Sequence, residues 1–196
     1  MSFTATRLAA ANPAVTNRFV VSTNMSLTTY TIANATMPTT PGARRITITH
    51  TTVAGTDTLG VVTITGTDIR GATITDVITP IADSVATGAK FFVTVTAAIS
   101  TGWVAVSTAD TLVVGCEAGS TVLDGMGTLH AIVVNTTAAG TITLANGATT
   151  LAVLKASIAE GTYYYDIDVG KLTVTLGAAS DVTVVHTSNL PLTYAL

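Results

Sequence analysis

Between residues 44 and 79 the chain reads RRITITHTTVAGTDTLGVVTITGTDIRGATITDVIT, with threonine alternating with isoleucine or valine through most of the stretch. A period of two puts one residue type on each face of an extended strand, whereas a helix would scatter both types around its circumference. Threonine's branched Cβ favours extended backbone, and its hydroxyl tolerates water. Each such segment is therefore expected to turn an aliphatic face to a core and a flat, neutral face outward. The pattern is global: 42 of the 196 residues are threonine and only 10% are charged, against roughly 25% in an average soluble domain. Most of the surface must be uncharged.

Period-two segments recur at about ten-residue spacing. In the first half they are RRITITHTTV, GVVTITGTDI, GATITDVITPI, AKFFVTVTAAIS, GWVAVS and TLVVGC, broken at Gly55-Thr56-Asp57, Asp68 to Gly71, Asp83 to Gly88 and Ala109-Asp110. A second round follows EAGSTVLDGMG: TLHAIVVN, GTITLAN, TTLAVLKASI, GTYYYDIDV, KLTVTLGA and SDVTVVHT, with a tight-hairpin signal at Asn146-Gly147 and a break at Val169-Gly170. Short strands joined by turn chemistry at this spacing predict an all-β fold of two antiparallel sandwich or barrel-like domains, 44–117 and 118–196. Residues 1–43 are weakly patterned and carry Pro13, Pro38 and Pro41. They read as an extended arm with strands at Phe19–Ser22 and Ser26–Ala33, and with one helical turn in RLAAANPAV before Pro13. Its dispersed apolar residues, Phe3, Leu8, Phe19, Val20, Tyr30 and Ile32 among them, suggest an intersubunit clamp whose removal leaves both domains folded.

Several function classes are disfavoured. Mean hydropathy is +0.59, yet no run of about 18 apolar residues exists, so no spanning helix is expected. The N-terminus MSFTATRLAAANPAV lacks a basic start and an apolar stretch, which points to cytoplasmic synthesis without export. Net charge is −3, and the only basic pair is Arg44-Arg45, too little to follow a phosphate backbone, so nucleic acid is not an expected partner. That pair suits an acidic neighbour in an assembly. The single Cys116 excludes an intrachain disulfide and reads as a buried thiol.

Catalytic and metal chemistry find little support in the residue spacing. His50, His130 and His186 form no i, i+2 or i, i+4 pair, so they are read as structural or surface residues and no metal or cofactor is expected. Asp166 and Asp168 share a strand face and, with Asp181, suggest calcium or an acid–base pair. Calcium loops gather more oxygen ligands, however, and a glycan cleft needs more aromatic residues than the 5% present. In the Tyr163-Tyr164-Tyr165 run, Tyr164 shares the Asp166 face and reads as an exposed interface anchor. Phe91, Phe92 and Trp103 are assigned to the first core.

The second-half sequence GTLHAIVVNTTAAGTITLANG…GTYYYDIDVGKLTVTLGAASDVTVVHT resembles a module of tailed-bacteriophage virion proteins, with a strand near GxLH, a GTITL strand and a closing LTVTLxxASDVTV hairpin. VVTITGTDIRGATITDVIT, KFFVTVTAAISTGW and DTLVVG in the first half also look like phage structural β domains, so the resemblance spans about 44–187 and excludes the arm. It implies a non-enzymatic virion protein, foremost a capsid decoration or cementing protein that forms a homo-oligomer, with a trimer favoured, on the major capsid protein. Tail, neck or fibre positions, and a carbohydrate-binding adhesin, are the alternatives. Phe3, Leu8, Phe19, Val20, Tyr30, Ile32, Arg44, Arg45 and Tyr164 are the expected interface residues.

Overall fold

The computed structural model describes residues 3–38, 42–53, 55, 57–104 and 109–188. Among them every regular element is a strand, and all pairing is antiparallel. The chain opens on β1 (Phe3–Leu8), which belongs to the second of two compact units; the first unit comprises Ala14–Pro38 and Ala43–Ala118.

In the first unit the strands are β2 (Val15–Asn24), β3 (Thr29–Tyr30), β4 (Arg44–Thr51), β5 (Val61–Thr67), β6 (Thr73–Ile78), β7 (Val85–Phe92), β8 (Thr94–Thr101) and β9 (Thr111–Cys116). Two four-stranded sheets form, in the orders β2-β9-β4-β7 and β3-β8-β5-β6. The pairs β2·β9, β3·β8, β4·β7 and β5·β6 nest within one another, as in a long hairpin rolled into two sheets. This is jelly-roll topology. One continuous core holds it together, drawing Phe19, Ile46, Ile48, Phe92, Leu112 and Val114 from one sheet and Tyr30, Val62, Ile64, Ile78 and Val95 from the other. The alternation seen in the sequence is realised literally on β5, where Val62 and Ile64 are buried while Val61, Thr63 and Thr65 stand on the outer face.

Where the two sheets meet at β6 and β7, a carboxylate takes over from strand pairing. Asp76 is buried, and its Oδ2 accepts the backbone amides of Ala89 (2.8 Å) and Lys90 (3.0 Å). These amides lie where the β4·β7 register slips between Arg45 and Thr47. Gly88 is required there, because a Cβ on it would overlap the Asp76 carboxylate. At Val93, whose amide donates to the Thr67 carbonyl of the other sheet (2.7 Å), the chain departs from the sequence reading. AKFFVTVTAAIS is not one strand but the end of β7 and most of β8, in different sheets, and the expected turn at Asp83 to Gly88 contains the first residues of β7. In GWVAVS only an isolated bridge at Val104 is seen, to Thr58; residues 105–108 lie outside the described ones.

The second unit comprises Met1–Pro13, Thr39–Gly42 and Gly119–Leu196. Besides β1 it contains β10 (Ser120–Val134), β11 (Ile142–Asn146), β12 (Thr149–Leu154), β13 (Gly161–Leu176) and β14 (Val182–Ser188), in one sheet of order β1-β14-β10-β13-β11-β12. The break expected at Val169-Gly170 is absent. β13 runs straight through it because β10, which absorbs STVLDGMG as strand, pairs along both of its halves. Three register shifts in that pair, and a positive φ of 48° at Asp166, bend the long ribbon. The bend curls the sheet without joining its two edge strands, so that Leu129, Val134, Val182 and Val184 share a core with Val122, Ile142, Leu144 and Leu172. The β11·β12 hairpin turns at Gly147-Ala148, with Gly147 at φ 59° and no positive φ at Asn146, which fits a type II′ loop rather than the I′ turn that Asn-Gly favours.

The separate arm expected over 1–43 is not what the fold contains. β2 and β3 are integral strands of the jelly roll, and β1 pairs with β14 over all six residues. Leu8, Phe19, Val20 and Tyr30, expected at an interface, are buried in the chain's own cores, with Ile32 packed partly against the first. RLAAANPAV forms no helical turn: Arg7 and Leu8 finish β1, and Asn12 is a buried tie. Its side chain donates to Ser120 Oγ (3.1 Å) and the Val174 carbonyl (3.0 Å) and accepts the Leu176 amide (2.7 Å). Deleting residues 1–43 is accordingly expected to abolish cooperative folding of the jelly-roll unit; a truncated chain with native-like amide dispersion and a cooperative urea transition overturns this.

Candidate functional site

In a jelly roll the β2–β3, β4–β5, β6–β7 and β8–β9 connections emerge at one end, and one cluster of this chain's polar residues gathers there. His50, the penultimate residue of β4, sits at the centre with a fully buried side chain. Its Nε2 lies 3.1 Å from Asp57 Oδ2 on the β4–β5 connection and 3.1 Å from Met25 Sδ on the β2–β3 turn. Its Nδ1 accepts the Asp83 amide of the β6–β7 connection at 3.4 Å, which leaves the ring proton on Nε2, facing the carboxylate. The Trp103 ring, on the β8–β9 connection, is 6.0 Å away. Around this hub Asp83 Oδ1 takes the Thr52 amide and Asp110 Oδ1 the Val53 amide, each at 2.6 Å, and the Met25 amide donates to the Asp110 carbonyl.

The network works as a clasp. Among the described residues each of the four connections is hydrogen-bonded or stacked to another, through buried His50 and Asp110 and exposed Asp83. Among the described residues the four connections present the large exposed aliphatics Leu27, Val53, Ile81 and Val104, at 45%, 62%, 53% and 62% exposure. Single exposed aliphatics are ordinary; one on each of four mutually fastened loops is a built apolar end.

A second polar cluster lies on the second unit. His130, in the β10 bulge, places Nδ1 2.8 Å from Asp166 Oδ1 and Nε2 3.4 Å from Thr187 Oγ1. Hydroxyl, imidazole and carboxylate stand in the order of a nucleophilic triad, but Thr187 has no solvent exposure. Its hydroxyl has no route to a substrate, and the chain of bonds serves to fasten β13, β10 and β14. Phe3 caps it edge-on, with ring centroids 4.7 Å apart. Beneath it, His186 is buried and its Nδ1 meets no partner, while Nε2 lies 3.4 Å from Thr6 Oγ1. Burial, and then the neighbouring His130, hold the His186 ring below its usual pKa of 6.5.

The remaining expected site residues are engaged within the chain or stand apart. Arg45 makes a two-pronged pair with Glu117 at 2.7 and 2.6 Å and lies over the Phe91 ring. Arg44 is buried, and that burial lowers its pKa despite donors aimed at Cys116 Sγ and the Glu117 carbonyl. Cys116 is a buried thiol pushed up in pKa by the same desolvation. Of the aromatic residues assigned to the first core, Phe92 is fully buried, Trp103 packs partly against that core and Phe91 lies under Arg45. Tyr164 is 79% exposed. Asp166, Asp168 and Asp181 do not converge: Asp166 faces His130, Asp168 takes the Thr128 hydroxyl, and Asp181 takes Arg7 and Asn135, which hold its carboxyl at about 2. Among the described residues no three metal-ligating side chains meet. Comparison with protein-family models, curated proteins and solved structures finds no match.

Two measurements check these assignments. His50→Ala removes the imidazole that faces Asp57 and the acceptor of the Asp83 amide, and is expected to cost about 2–3 kcal/mol in urea unfolding; a loss within error of zero overturns the hub. The folded state disfavours protonated His186, so its contribution to stability is complete above about pH 6.5 and is lost as pH falls through the lowered folded value. His186→Leu should flatten the fall in thermal midpoint between pH 7.5 and 5, and an unchanged slope rejects the assignment.

Proposed function

We propose that this chain is a non-enzymatic structural protein of a tailed-phage virion, foremost a capsid decoration protein that seats the four-loop end of its jelly roll on the major capsid protein. The observation that carries the reading is that end: Leu27, Val53, Ile81 and Val104 protrude from loops fastened from within by His50, Asp57, Asp83 and Asp110. Apolar residues on loops already hydrogen-bonded to one another bury area on a partner at a lower cost of loop ordering than free loops would. Reaction chemistry has no such support, since the histidine–carboxylate pair at this end is buried.

Jelly rolls serve capsid and lectin domains alike, so topology does not choose between them. The aliphatic tips support the first reading, since a sugar groove is lined by aromatic and polar groups. The resemblance of 44–187 to phage structural modules supplies the setting and the expectation of a trimer.

The test is quantitative mass spectrometry of purified particles together with binding to particles stripped of this protein. Hundreds of copies per particle support decoration, whereas a dozen or fewer reassign the chain to a neck, tail or fibre. Val53→Lys combined with Val104→Lys is expected to weaken particle binding at least tenfold with an unchanged thermal midpoint. Unaltered binding removes the loop end from the interface, and glycan-array binding in place of particle binding overturns the reading.

A further inference from the structure

The jelly-roll unit closes its sheet edges. β3 is only two residues long, and β2 is covered on its free side by the Ala33 amide on the Phe19 carbonyl (2.7 Å) and by Asn34 Nδ2 on the Arg18 carbonyl (3.2 Å). Asp76 occupies the outward amides between β6 and β7. These are the ordinary devices that keep a sheet from recruiting further strands.

Among the described residues the two margins of the second unit have no such cover, and the one irregularity there is the register shift at Leu151. β12 ends the sheet beside β11, β1 ends it beside β14, and among the described residues neither has a strand on its other side. The β12 sequence TTLAVL contains no charge, proline or glycine. In β1, FTATRL, the one charge is Arg7, already occupied by Asp181. The core is also unfinished at the β12 margin: Leu151, Ala152 and Leu154 pack against it while remaining partly exposed, and the adjacent Val153 is 58% exposed. At the opposite margin Phe3 is 65% exposed.

We propose that the six-stranded sheet continues from copy to copy, β12 of one chain pairing antiparallel with β1 of the next. Strand direction admits this occupant, and the exposed Phe3 brought to the open β12 margin favours it over β12 pairing with its own copy. Six strands alternating in direction leave β1 and β12 running opposite ways, so a neighbour brought alongside without being turned over presents β1 antiparallel to β12. Both edges are six residues long. β1 keeps a regular register throughout, and β12 does so over Ala152–Leu154, beyond the shift at Leu151. Phe3 then lies near the apolar margin that Val153 and Leu154 leave open. The contact is heterologous, using a different surface on each partner, and generates a ring where the rotation between copies closes. It rests on the second unit alone and stands whether or not the virion reading does.

The two edges can be blocked separately. Thr150→Lys with Val153→Lys disables the β12 edge, and Phe3→Lys with Ala5→Lys disables the β1 edge; all four positions are exposed. Mass is read by light scattering at high micromolar concentration, and folding by circular dichroism. The intact chain is expected at three or more times the monomer mass, each double variant alone as a monomer, and a one-to-one mixture of the two as a dimer containing one of each. A monomeric intact chain, variants that keep the native mass, or a mixture that stays monomeric overturns the proposal. A β12 variant that is monomeric beside a dimeric β1 variant also overturns it, in favour of β12 pairing with itself. Should a variant misfold, hydrogen exchange on the intact chain decides: amides in both Phe3–Leu8 and Thr149–Leu154 must gain protection as concentration rises, and no gain at either edge rejects the pairing.

Discussion

The jelly roll depends on the pairing of β2 with β9, which joins Val15–Asn24 to Thr111–Cys116 across nearly the whole length of the unit. The remaining strand pairs nest inside this one, so opening it unrolls the sandwich from its outermost turn. Phe19 and Val20 bring to it the side chains that seal the core behind Leu112 and Val114. Contacts so distant in sequence carry a high loop-closure cost, which makes this topology slow to fold and cooperative once formed.

Polar groups inside the two units do work that apolar packing leaves undone. Aliphatic side chains fill a sandwich but do not determine how its loops lie or where its sheets stop. Asp76 finishes the corner at β6 and β7, Asn12 holds the chain between β1 and β2 against the second sheet, and His50 gathers four connections at one end. Each sits where backbone donors or acceptors would otherwise be buried without partners, a cost of a few kcal/mol per group. With only 10% of residues charged, the chain places several of its few carboxylates at these joints.

The same sparsity shapes its exterior. Where the sheets present their outer faces, Val61, Thr63, Thr65 and Val77 leave a neutral, β-branched surface. Such a face orders with little loss of side-chain entropy and carries no long-range field to steer or repel a partner. On such a surface, shape and backbone edges rather than charge are what the proposed contact between copies draws on.

The sequence by itself determined the class of fold. Period-two alternation of threonine with isoleucine and valine admits only strands, and the residues it assigned inward on β5, Val62 and Ile64, are the buried ones. It also marked several of the turns, Asn146-Gly147 and Asp68 to Gly71 among them. Only the tertiary structure decided which strands pair. Whether Phe19 belongs to an arm or a core, whether Val169-Gly170 turns or runs on, and whether His50 finds Asp57, Met25 and Asp83 are all questions of partners far away in the chain. Local propensity records how a segment prefers to extend; register and burial are set by the strand that arrives beside it, and nothing in a neutral, repetitive segment names that strand in advance.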